Sequence, residues 1–104
     1  MNIDRIYVDF ENILLLLKSI SSKRRFLIIC SLISGEKSVT ELQEFLKLEQ
    51  SALSQHLARL RKDNIVQTRR QARTIFYSIK DPRMHKLFEF LCDVSSDKSF
   101  KNPE

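Results

Sequence analysis

A chain of 104 residues has room for one domain and not for two, and 42% hydrophobic residues suffice for a small core. One glycine and two prolines exclude β-sandwiches and loop-built scaffolds, which need more turn residues, and point to tightly joined helices. The net charge of +5 is concentrated: from Gln50 to Lys80 seven basic residues stand against one acid, Asp63, a local +6 that leaves −1 for the rest.

The first predicted helix covers 3–18. Ile3, Tyr7, Phe10, Leu14 and Leu17 recur at spacings of 4, 3, 4 and 3, the seam of a helix packing along another helix. The next, 22–34, is apolar nearly all round through Phe26–Cys30 and Leu32–Ile33, and reads as the buried central helix, closed by Gly35. Ser38-Val39-Thr40-Glu41 has the form of a capping box and opens a short helix with Leu42, Phe45 and Leu46 inward. A turn at Lys47-Leu48-Glu49 leads to a helix over 50–62 with Leu53, Leu57 and Leu60 inward; Asp63-Asn64 ends it, Asn64 tolerating a left-handed backbone.

The period then changes to two. Ile65–Arg70 and Thr74–Ile79 are predicted strands, with Ile75, Tyr77 and Ile79 on one face and Gln71-Ala72-Arg73 as a basic hairpin tip. Asp81-Pro82 is an N-cap followed by proline at the first helical position, opening a last helix that aligns Met84, Leu87, Phe88 and Leu91. The expected fold is mainly α with a small β-hairpin, a winged helix-turn-helix in the order α-α-α-α-β-β-α. Residues 1–95 form the domain, and 96–104 a flexible tail. The seam of the first helix and the stripe of the last expose more apolar surface than one small core covers, which predicts a homodimer through Ile3, Tyr7, Phe10, Leu14, Leu17, Leu87, Phe88 and Leu91.

No stretch reaches the roughly eighteen apolar residues of a membrane span. The start Met1-Asn2-Ile3-Asp4-Arg5 lacks the basic-then-apolar pattern of a secretory leader, so a cytoplasmic protein is expected. Two cysteines, Cys30 and Cys92, are too few for a disulfide framework. No glycine-rich phosphate loop is present, and neither histidine has a cysteine or serine partner beside it; an enzyme is not expected.

With its leucines turned inward, the 50–62 helix shows Gln50, Ser51, Ser54, Gln55, Ala58, Arg59 and Lys62 outward, and no acid. Its small, amide-bearing first half suits base edges in a major groove, and its cationic second half suits phosphate. Arg69, Arg70 and Arg73 on the hairpin are placed to reach the DNA backbone or a narrow minor groove. The competing readings are a solvated helix beside a strand edge charged against aggregation, and a winged-helix module that binds only protein.

Ser38-Val39-Thr40-Glu41-Leu42, the run from Gln50 to Arg61 with its Ser54-Gln55-His56-Leu57 centre, Thr68-Arg69-Arg70 and Ile75-Phe76-Tyr77 resemble the ArsR/SmtB repressors over residues 12–92, and within them the branch of HlyU, BigR and NolR. The resemblance implies a homodimer built from the first and last helices, binding an imperfect palindrome and repressing, with Gln50, Ser51, Ser54, Gln55 and His56 as recognition-helix contacts. It also implies release of double-stranded DNA by a metal or a thiol reaction.

A metal is not expected. Val39 and Thr40 stand where a Cys-x-Cys pair would supply soft ligands, and Asp81, His85 and Glu89 are too few for a last-helix site. No cofactor is expected. Cys30 matches the first cysteine of the branch's thiol sensors, and Cys92 lies on the last helix about one turn beyond the second. The pair is thus a tentative redox sensor, the alternative being a regulator without any switch.

Overall fold

The computed structural model describes residues 3–96, and on the first helix the side chains of residue 4 and of residue 9 onward. The order is α1 (Ile3–Ile20), α2 (Lys23–Ile33), β1 (Lys37–Ser38), α3 (Val39–Leu46), α4 (Gln50–Lys62), β2 (Val66–Gln71), β3 (Thr74–Ile79) and α5 (Arg83–Ser96). Seven of these elements are the predicted ones. The added strand, β1, is two residues long and pairs antiparallel with β3, making a sheet in the order β1-β3-β2. Two residues carry no periodicity, so β1 has no signal of its own in the sequence.

The core gathers on α2, which packs against α1, α3, α4, α5 and β3. Its apolar run supplies Ile28, Ile29 and Leu32, all buried among Leu42, Leu53, Leu57, Leu60, Ile65, Val66, Met84 and Phe88. The Phe26 and Phe88 rings meet at 4.8 Å between centroids, tying α2 to α5.

The local signals act as their chemistry requires. The Glu41 N–H donates to Ser38 Oγ at 3.1 Å and the Ser38 N–H donates to Glu41 Oε1 at 3.0 Å, a closed capping box at the start of α3. Asp81 Oδ1 accepts the backbone N–H of Arg83 at 3.0 Å and so caps α5. Lys47 (φ 53°) and Asn64 (φ 60°) take the left-handed backbone that ends α3 and α4.

Three expectations need correction. The hairpin tip is a two-residue turn, because Gln71 still pairs with Thr74 and Ala72 takes φ 55° to reverse the chain. Phe45 is 72% exposed. It lies one residue off the stripe that Leu42 and Leu46 turn to the core on this eight-residue helix. Phe88, expected in the dimer seam, is 3% exposed and closes the monomer core against Phe26. The expected tail begins at Ser96, which is the last residue of α5; residues 97–104 lie outside the described residues, as do the side chains of Ile3 and Tyr7.

Candidate nucleic-acid interface

The helix-turn-helix is α3, the turn Lys47–Glu49 and α4. Leu53, Leu57 and Leu60 are buried, which fixes the rotation of α4. Gln50, Ser51, Ser54, Gln55, Ala58, Arg59 and Lys62 are consequently exposed along one continuous face. Its far end is anchored: Arg59 Nε lies 3.2 Å from Asp63 Oδ2, and that oxygen also accepts a 2.7 Å hydrogen bond from the buried Ser19 on α1. The bond from Ser19 ties the end of α4 to α1.

His56 is half-buried, unlike its neighbours on α4. Burial, then the charges of Arg25 and Arg24, hold its imidazole below the usual range. The two arginines belong to a cluster, Lys23-Arg24-Arg25, that fills the first turn of α2 with cations and no acid, against the preference of a helix dipole. Sequence reasoning passed over this run because it falls outside the basic segment 50–80; three bases directly after the N-cap Ser22 were the available signal.

The unfolded chain takes up the His56 proton at a higher pH than the folded chain does. Its contribution to stability is therefore full above an unfolded value of about 6.5 and declines as pH falls through it. Urea unfolding is expected to give a lower stability at about pH 5.5 than at about pH 7.5, and His56→Gln should flatten the difference. An unchanged slope in that variant would assign the effect to other groups.

On the hairpin, Arg69, Arg70 and Arg73 are all exposed. Arg70 and Arg73 have no hydrogen bond or ion pair among the described residues, whereas Arg69 is bound to Glu36 and Gln71.

Two further surfaces complete the molecule. On α1, Phe10, Ile13, Leu14, Leu15 and Leu17 are between 44% and 57% exposed, and on α5 Phe90 is 63% exposed beside half-buried Leu87 and Leu91. Between α2 and α5 a cavity of about 380 Å³ is lined by Cys30, Ile33, His85, Phe88, Glu89 and Cys92. Both cysteines are free thiols; Cys92 is exposed, and burial, together with the charge of Cys92, pushes the Cys30 thiol above its ordinary range. No cluster able to hold a metal occurs among the described residues, and no described helix is long and apolar enough to cross a membrane.

Residues 22–68, which include the helix-turn-helix, match the family profile described as bacterial regulatory protein, arsR family. The chain is 42% identical over 91 residues to the transcriptional activator HlyU of Vibrio cholerae, covering 88% of this chain and 84% of that one. Reduced HlyU from Vibrio cholerae superposes with a TM-score of 0.83 at 39% identity, over 89% of this chain and 98% of that structure. The transcriptional repressor BigR of Xylella fastidiosa superposes with a TM-score of 0.89 at 32% identity, over 94% of this chain and all of the other. The fold is thus that of winged helix-turn-helix regulators.

Proposed function

The chain belongs to the arsR family of bacterial regulatory proteins and is a transcriptional regulator, and we propose that it binds a palindromic operator as a homodimer. The observation that carries this reading is the outer face of α4: amide and hydroxyl groups first, cations last, and no acid from Gln50 to Lys62. In this reading Gln50, Ser51, Ser54 and Gln55 enter the major groove, and Arg59, Lys62, Arg70 and Arg73 meet phosphates. His56 and the Lys23–Arg25 cluster flank them. The exposed faces of α1 and α5, with Phe90 in place of the buried Phe88, pair across a twofold axis. Repression is the expected sign, as BigR is named a repressor.

Gln55→Ala is expected to weaken operator binding by about 1–3 kcal/mol and leave random DNA unaffected. Arg70→Ala should weaken both and flatten the salt dependence, one phosphate contact changing the slope by about 0.9. Equal losses on both duplexes for Gln55→Ala would remove its base-reading role.

The finer part of the proposal is a thiol switch. Cys30 and Cys92 face one cavity on two helices that pack together. The exposed Cys92 thiolate attacks a terminal sulfur of an inorganic polysulfide, giving a Cys92 persulfide and a polysulfide one sulfur shorter. The Cys30 thiolate then displaces hydrosulfide and closes the disulfide; two thiols give up two protons and two electrons, and one sulfane sulfur becomes sulfide. The bridge fixes α2 to α5, and the altered packing lowers DNA affinity. Fluorescence anisotropy with reduced and polysulfide-treated protein tests this. Loss of binding in the parent but not in Cys92→Ser is the expected result, and unchanged binding by bridged protein would leave a regulator without a thiol switch.

A further inference from the structure

Glu36 is an acid on a surface that the proposed DNA reading places beside phosphate, and it bears two of the shortest ionic contacts in the hairpin region. Arg69 Nε and Nη2 donate to its two carboxylate oxygens at 2.9 and 2.6 Å, a bidentate fork, while Nη1 donates to Gln71 Oε1 at 2.9 Å. The guanidinium carbon lies 4.6 Å above the centre of the Phe76 ring. Three of the five N–H donors of Arg69 are therefore engaged, two of them by a carboxylate that neutralises its charge.

The two ends of this contact sit on different parts of the fold. Glu36 lies between Gly35, just past the end of α2, and Lys37, which pairs with Tyr77 on β3. Arg69 is on β2, an edge strand, opposite Phe76 of β3, which in turn is opposite Ser38 of β1. The arginine thus reaches across the middle strand, over an aromatic ring, to the body of the domain. Arg70 is next along an extended strand and points to the opposite face, and Arg73 is in the turn; neither takes part.

We propose that Arg69 is a positioning residue: clamped by Glu36 across Phe76, it sets the pitch of the hairpin so that Arg70 and Arg73 meet the DNA backbone, and it makes no DNA contact itself. The proposal rests on the reading of the hairpin as a DNA-contacting wing. It explains why a carboxylate stands there at all, since Glu36 is neutralised before DNA arrives. It also departs from the simple expectation that three arginines in one hairpin grip phosphate alike.

The pair is exposed, so Glu36→Gln and Arg69→Gln should fold and melt near the parent. Binding of fluorescein-labelled duplexes, one from the promoter upstream of the protein's own gene and one of random sequence, is measured across a salt series. Both variants are expected to weaken both duplexes about tenfold and to flatten the salt slope equally, the signature of lost phosphate contacts elsewhere. The double variant should lose no more than either single one, and the exchanged pair Glu36→Arg with Arg69→Glu should recover part of the affinity. In the free protein, amides of residues 67–78 should exchange with solvent faster in both single variants.

Glu36→Gln binding as tightly as the parent or tighter, while Arg69→Gln weakens with a slope change of about one contact, would make Arg69 a direct phosphate ligand and overturn the clamp. Unchanged amide exchange in both variants would overturn it as well. A parent that binds neither duplex would overturn the DNA reading and the clamp's purpose with it; the exchange data, taken without DNA, distinguish that failure from a failure of the clamp.

Discussion

Leu14→Glu combined with Leu17→Glu should give a folded monomer that binds operator DNA at least about a hundredfold more weakly than the parent. Leu14 is 57% exposed and Leu17 50%, and neither belongs to the buried core, so the fold loses little. In a twofold dimer the same substitutions place four carboxylates at one apolar contact, where burying unpaired charge is prohibitive. The DNA effect follows from linkage: one recognition helix per monomer reads half a site, and the second half contributes only while both are tied together. Sedimentation and anisotropy on one sample check both parts. A variant that remains dimeric would move the interface away from α1.

The second large effect concerns the inner face of α4. Leu57→Ala should destabilise the domain by about 2–5 kcal/mol, because the side chain is fully buried and the cavity cannot collapse between packed helices. Set against the roughly 5–15 kcal/mol that holds such domains together, that is a large fraction. Phe45→Ala removes a larger side chain and should stay within about 0.5 kcal/mol of the parent, since the ring already stands in solvent. Urea unfolding of the two variants side by side measures the contrast, and comparable losses would mean that Phe45 is packed.

That contrast marks where the sequence was readable. Leu53, Leu57 and Leu60 recur at helical spacing over thirteen residues, long enough to define a stripe, and the same stripe makes the outer face of α4 legible by subtraction. In α3, eight residues give barely two turns, and Leu42, Phe45 and Leu46 all satisfy the spacing rule although only Leu42 and Leu46 pack into the core. Phe88 failed for a related reason. Periodicity says which residues share a face of α5, but not whether that face meets its own core or a second chain, and Phe26 decides the matter for Phe88.

The interface divides in the same way. Residue types and spacing placed Gln55, Arg70 and Arg73 on the surface. The role of Arg69 depends on Glu36, thirty-three residues away and brought close by the pairing of both β1 and β2 with β3. Cys30 and Cys92 share a cavity because α2 packs on α5, a long-range contact that no local pattern encodes.

The central claim, a sequence-reading DNA surface on α4, is tested most directly by fluorescence anisotropy with reduced protein. A duplex from the promoter upstream of its own gene is compared with a shuffled duplex of equal length, between about 50 and 200 mM salt. The expected result is a preference of at least about a hundredfold for the promoter, with affinity for both falling steeply as salt rises. Equal affinity for the two duplexes, no better than that of a peptide of the same charge, would contradict it and leave a winged-helix module that works through protein contacts.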